Sequence, residues 1–328
     1  MKKICIYGAG AVGGFIGALL AQNGCEVSAV ARGATLDALQ TQGLRLQLDN
    51  RTISVPVTAT ANPVELGEQD LIIVAVKAQS MPAVAGAIPP LIGAETTVLT
   101  AMNGVPWWFF QGFGGDYAGL QLAAVDPGGA IAQAIPARSI IGGVVHGSFA
   151  LNEPGFVRHV FGRKLILGEP NGEKSARLQK LADLLSAAGI EIETSSAIQR
   201  DIWFKLWGNM TMNPVSAITG ATCDRILDDP LVLNFCNRVM TEAATIGERI
   251  GCPVEQTPLE RNAVTRKLGA FKTSMLQDVE AGRSVELDAL VSAVYEIGQK
   301  VGVTTPDMET LLGLARLHGR MRGLYPDQ

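Results

Sequence analysis

The stretch "KKICIYGAGAVGGFIGALLAQNGCEVSAVARG", residues 2–33, decides the fold. A short apolar run, "KICIY", leads into the glycine turn Gly8-Ala9-Gly10-Ala11-Val12-Gly13. Beyond it, "AVGGFIGALLAQNG" repeats its apolar residues at helical spacing and ends on a glycine stop. Strand, glycine turn and helix in that order read as the opening of a dinucleotide-binding fold. Gly8 permits a tight turn, Gly10 lets a pyrophosphate come up to the backbone, and Gly13 lets helix and strand pack closely. The helix N-terminus adds free N–H groups and the positive end of a dipole. With 37 glycines in the chain the spacing alone is weak, and its context carries the reading. The alternative is a plain strand–helix turn with packing glycines.

The next strand, "EVSAVARG", ends without the acid that would take the ribose 2′-hydroxyl of NAD. Glu26 lies at its beginning, and Arg32 stands at its end. A guanidinium offers bidentate, charge-assisted hydrogen bonds to a 2′-phosphate, so the expected cofactor is NADP(H). Two further residues fall just past apolar strands, Lys77 in "DLIIVAVKAQ" and Asn103 in "TTVLTAMNG". Ligands of open α/β sheets bind beyond the carboxyl ends of the strands. For Arg32, Lys77 and Asn103 alike, the competing reading is an ordinary surface position.

Outward from this turn, strand-like runs recur at residues 3–7, 26–31, 71–76 and 97–100, separated by helical or mixed segments. That alternation predicts a parallel, doubly wound sheet. "LRLQLDNRTISVPV", residues 44–57, interrupts it with two period-2 runs about Asp49-Asn50, the pattern of an antiparallel hairpin. Residues 139–168 read as further antiparallel strands, followed by a helix over 173–188 and a last strand, "IEIETS". From about Ala197 strand patterns stop. Apolar residues then recur at three- and four-residue spacing, punctuated by Pro214, Pro230, Pro253, Pro258 and Pro306. The expected fold class is α/β: a Rossmann-type domain over 1–195, then an all-helical domain over 196–328. Pro214 is expected near a helix end.

Composition narrows the function. A net charge of −4 with no basic run argues against a nucleic-acid surface. Cys5, Cys25, Cys223, Cys236 and Cys252 are scattered without a CxxC pair, as in a reducing compartment. The three histidines lack metal-ligand spacing, so no metal is expected, and His146 and His159 read as structural. Neither a signal peptide nor a membrane span is visible. The expected location is cytoplasmic.

In the helical half, "WFKLWGNMTMNP" places Lys205, Asn209 and Asn213 at i, i+4 and i+8, on one face of a helix. An ammonium between two amides suits a carbonyl oxygen that gains negative charge as hydride arrives. Taken alone, such a stripe is more often a solvated helix face.

"GAGAVGG", "VAVKA" around Lys77, Asn103-Gly104, "WFKLWGNMTMNP" and "SMLQDVEAGRSVELD" from Ser274 together resemble the ketopantoate reductase (2-dehydropantoate 2-reductase) family over nearly the whole chain. The resemblance implies an N-terminal Rossmann domain, a helical C-terminal domain and a cleft between them in which NADPH reduces a 2-keto acid. It implies that Lys205 is the catalytic lysine and that Asn209, Asn213 and Ser274 bind substrate. Glu286 would meet the substrate's distal hydroxyl, while Lys77 and Asn103 line the cofactor and the reacting carbonyl. The partner is then a small 2-keto acid, and the apolar helical faces leave room for a homodimer.

One stretch departs from what a small polar substrate requires: "VPWWFF", with Trp107, Trp108, Phe109 and Phe110 in a row. Packing at a helix start explains it, as would a pocket reshaped for a bulkier keto acid. A reductase of another 2-keto acid and a non-catalytic NADPH sensor are the rival functions. The Lys205–Asn209–Asn213 stripe and Glu286 speak against the sensor, which needs only the dinucleotide half.

Overall fold

The opening strand β1 (Lys3–Tyr7) is buried from its second residue onward and runs into α1 (Ala11–Gln22). The computed structural model describes residues 1–327. After α1 come β2 (Glu26–Val30), α2 (Gly33–Gln42), β3 (Leu44–Leu48), β4 (Arg51–Val55), β5 (Thr58–Thr60), β6 (Leu71–Val74), α3 (Met81–Ala87) and β7 (Thr97–Thr100). Then follow α4 (Ala130–Ala134), the long β8 (Ile140–Glu153) and β9 (Phe156–Gly168), α5 (Ala176–Ala187) and β10 (Glu191–Thr194).

The strands form one sheet in the order β4-β3-β9-β8-β7-β6-β1-β2-β5, with β10 added along β9. From β8 through β7, β6, β1 and β2 to β5 every pairing is parallel, as the strand–helix alternation predicts. The β3–β4 hairpin is antiparallel and turns at Asp49, whose φ is +53°. β8 and β9 also pair antiparallel. One edge of β9 takes β3 beside residues 156–158 and β10 beside residues 164–167, so the sheet is mixed.

Helix α1 explains the sequence's glycines. A Cβ on Gly13 would collide with the Gly8 carbonyl, and one on Gly17 would lie 2.9 Å from the Ile6 side chain. The helix therefore sits on β1 closer than a larger residue allows, over a core that includes Ile4, Ile6, Phe15 and Leu20.

The chain divides into two compact units. The first holds Met1–Asn103, Gln111–Phe113 and Gly128–Asp201; the second holds Gly104–Phe110, Gly114–Pro127 and everything from Ile202 onward. The boundary thus lies a few residues beyond 195/196, and two short segments join the helical unit. Particular bonds explain their membership. The Val105 N–H donates to the Ala289 carbonyl at 2.8 Å, and the rings of Phe109 and Trp203 lie 6.1 Å apart. The Glu296 carboxylate accepts from the N–H groups of Ala123 and Ala124, each at 2.9 Å.

The helical unit runs through α6 (Ile198–Thr219, which the boundary cuts), α7 (Cys223–Asp228), α8 (Pro230–Arg249), α9 (Pro258–Arg266), α10 (Ser274–Glu280), α11 (Ala293–Lys300) and α12 (Pro306–Met321). Pro230, Pro258 and Pro306 each open a helix, where a missing N–H costs nothing. Pro214 does not end one: α6 continues five residues past it. A proline inside a helix costs about 3 kcal/mol, but residues 210–217 are buried on every side, and that burial outweighs the lost bond. The Trp207 indole N–H donates to the Met240 carbonyl at 2.7 Å and ties α6 to α8.

The start of α8 yields a stability prediction. Asp229 Oδ1 accepts from the N–H groups of Leu231 and Val232 at 2.9 and 3.1 Å. Asp229→Ala should cost about 1 kcal/mol, read as a lower urea midpoint with an unchanged slope. An unshifted midpoint would show that the cap contributes nothing.

Candidate active site

β7, β6, β1 and β2 are parallel neighbours in that order, so their carboxyl ends form one edge. Asn103, Lys77, Gly8 and Arg32 follow those four ends respectively. The sequence places them hundreds of ångströms of extended chain apart in total; the strand order gathers them.

At the glycine turn each glycine has a distinct reason. Gly8 has φ +100°, and a Cβ there would lie 2.6 Å from the Val76 side chain and 3.0 Å from the Ala75 carbonyl oxygen. Gly10 is extended (φ −80°, ψ −157°) at the N-terminus of α1 and provides no side-chain cap. No other group lies within 4 Å of where its Cβ would be. The first turn of α1, with half-buried Ala11 and Val12, has no acidic side chain. With neither a side-chain cap nor an acid of its own, this helix N-terminus suits an anionic pyrophosphate.

A cavity of about 370 Å³ lies against this turn, lined among others by Gly8, Ala9, Gly10 and Arg32. Arg32 is exposed and precedes α2, where Gly33 has φ +52°. The cavity also takes in Tyr7, Thr35 and Val84, which the sequence reading missed. Tyr7 is the last residue before the glycine turn, and that position was the available signal. Lys77 caps the short turn Ala78–Ser80 and Asn103 follows β7. Both stand at the same sheet edge without lining the cavity.

In the helical unit, α6 carries all three residues of the stripe. Lys205 and Asn209 are half-buried and Asn213 is buried, which distinguishes this face from a solvated one. Burial pushes the Lys205 ammonium down from 10.5 to about 8, against the opposing pull of the Glu286 carboxylate. The two charges therefore lie within electrostatic reach of each other. Among the described residues, the side-chain amides of Asn209 and Asn213 make no hydrogen bond to another protein group. An accessible amide without a protein partner is free to hydrogen-bond a ligand's polar atoms.

Glu286 is half-buried and directly precedes the helical turn that starts at Leu287. Residues Asp288–Ser292 then wind as a π-helix, a rare form that recurs at functional sites. Ser274 is exposed on the first turn of α10, where Thr273 and not Ser274 is the cap.

The aromatic run resolves as packing. Trp107, Trp108, Phe109 and Phe110 are all buried, Trp108 and Phe109 completely. Of the histidines, His159 stacks on Phe15 at 5.8 Å and faces the Gly162 carbonyl at 3.0 Å.

Residues 4–107 match the family model described as "Ketopantoate reductase PanE/ApbA", and residues 197–319 match its C-terminal counterpart. A 2-dehydropantoate 2-reductase of Mesorhizobium japonicum is 45% identical over 98% of this chain and 99% of its own. The crystal structure of a protein assigned as a ketopantoate reductase, from Ralstonia solanacearum, superposes with a TM-score of 0.94 at 60% identity, covering 99% of this chain and 100% of that one. A D-mandelate dehydrogenase in complex with NADH superposes with a TM-score of 0.81 at 25% identity, covering 98% and 99%.

Proposed function

Because the chain belongs to the ketopantoate reductase family of oxidoreductases, we propose that it reduces ketopantoate (2-dehydropantoate) to pantoate, with NADPH as the hydride donor. The observation that carries the reading is Lys205: a half-buried, desolvated ammonium whose proton is loosened toward about 8, on one helix face with two amides that make no protein hydrogen bond. The reduced nicotinamide supplies the hydride. Lys205 hydrogen-bonds the keto oxygen and gives it a proton as negative charge develops there. Asn209, Asn213, Ser274 and Asn103 hold the substrate's polar atoms, and Glu286 accepts from its distal hydroxyl. Gly8, Ala9, Gly10, Ala11, Val12 and Gly13 receive the pyrophosphate, Arg32 the 2′-phosphate, and Lys77 the region next to the nicotinamide.

Arg32→Ala separates the two nicotinamide cofactors. Loss of a charge-assisted phosphate contact should weaken NADPH by roughly ten- to a hundredfold and leave NADH nearly unchanged. Equal losses in a titration of both would remove Arg32 from the 2′-phosphate. Glu286→Ala should raise KM for ketopantoate more than for the same keto acid lacking the distal hydroxyl.

The proposal includes a cytoplasmic setting and a homodimer; no described helix is long and apolar enough to cross a membrane. A bulkier keto acid loses its support once the aromatic run is buried packing. The test is stoichiometric: one pantoate should form per NADPH consumed. NADPH oxidation without pantoate, or no keto acid-dependent oxidation, would contradict it.

A further inference from the structure

The turn that carries Glu286 is tied on both sides to the C-terminal segment. On one side the Val285 N–H donates to the Leu324 carbonyl at 3.0 Å. On the other, the Tyr325 hydroxyl donates to Asp288 Oδ1 at 2.6 Å, and the Ser292 hydroxyl donates to the same oxygen at 2.9 Å. Val285 and Leu287, the residues flanking Glu286, are buried, so their side chains fix the turn from within.

The C-terminal segment is itself held in place. The Leu324 N–H donates to the Gly319 carbonyl at 2.8 Å, and a Cβ on Gly319 would lie 2.7 Å from Tyr325 Cβ. The Arg320 guanidinium lies 5.9 Å from the centre of the Tyr325 ring and donates to the Pro326 carbonyl at 3.0 Å. Asp288 opens the π-helical turn, a rare winding that recurs at functional sites. Two carboxylates thus stand two residues apart. Hydroxyl donors hold Asp288, while the other, Glu286, exerts its charge on Lys205.

We propose that Tyr325 is a positioning residue, which through Asp288 fixes the turn presenting Glu286 to the substrate. This rests on the role given to Glu286 above. A carboxylate that must meet one hydroxyl of a small substrate has to be held closely, and a loosened turn loses that contact before it loses the fold.

The experiment compares the parent chain with Tyr325→Phe, Asp288→Ala, their double variant and Glu286→Ala. Each is assayed on ketopantoate and on the same keto acid without the distal hydroxyl. Phe keeps the ring against Gly319 and Arg320 and removes the donor alone. For Tyr325→Phe, KM for ketopantoate should rise roughly three- to tenfold, the loss of one hydrogen bond, with kcat within about twofold and NADPH affinity unchanged. KM for the deoxy acid should stay near the parent value. The double variant should be no worse than Asp288→Ala, because both break one bond. If Glu286→Ala discriminates between the substrates and Tyr325→Phe does not, the positioning role is overturned while the Glu286 reading survives. If Glu286→Ala itself shows no discrimination, the premise falls and the inference falls with it. Equal losses on both substrates would reduce Tyr325 to a stabilising contact.

Discussion

Lys205→Ala is expected to turn over ketopantoate about a hundredfold or more slowly than the parent chain while binding NADPH normally. General acid catalysis and electrostatic stabilisation of a developing oxyanion are each typically worth about 10²–10³-fold. Both act on an atom whose charge appears only as hydride arrives, so their loss falls on kcat rather than KM. Lys205→Arg should not restore turnover, since a guanidinium does not give up a proton in this range.

In the proposed mechanism, burial sets the pH range over which Lys205 can act. Below about 8 the Lys205 ammonium holds the proton it must donate; above about 8 the amine is neutral and has none. The rate of reduction should therefore fall as pH rises through that region, and the falling limb should vanish in Lys205→Ala. Glu286 raises the lysine's pKa, so Glu286→Gln should move the limb to lower pH. A Lys205→Ala variant with near-normal kcat would sink the mechanism and leave a cofactor-binding fold.

Gly10→Val is expected to fold like the parent and to lose NADPH affinity on the order of a hundredfold or more. Open space surrounds the position of its Cβ, and its extended φ of −80° suits valine, so the protein itself tolerates the side chain. The methyl groups would instead occupy the approach of the pyrophosphate. Gly13→Val is the contrasting variant: its Cβ collides with the Gly8 carbonyl, so it should fail to fold stably. Parent-like NADPH affinity in a folded Gly10→Val protein would show that the turn serves packing alone.

Much of this was legible in the sequence because local rules dominate the first hundred residues. The glycine turn, the β3–β4 hairpin and, β5 apart, the strands up to β7 stand where period and turn chemistry put them. The residues of β5, Thr58-Ala59-Thr60, were not read as a strand, since three polar or small residues carry no period; pairing with β2 makes them one. Pro214 misled because its cost is local, whereas the burial that overrides it is tertiary. The cavity's Tyr7 and Thr35 meet Arg32 only through the folding of β1, β2 and α2. The proposed catalytic stripe was visible as spacing. Its loosened proton was not, because desolvation depends on what packs around Lys205 and not on its neighbours in the chain.

The measurement that bears most directly on the proposed activity is steady-state kcat/KM for NADPH-dependent reduction of ketopantoate, set against a panel of 2-keto acids that includes aromatic ones and repeated with NADH. The account predicts that ketopantoate gives the highest value and that NADPH is preferred. An aromatic or other keto acid reduced more efficiently than ketopantoate, or an NADH preference, would contradict it.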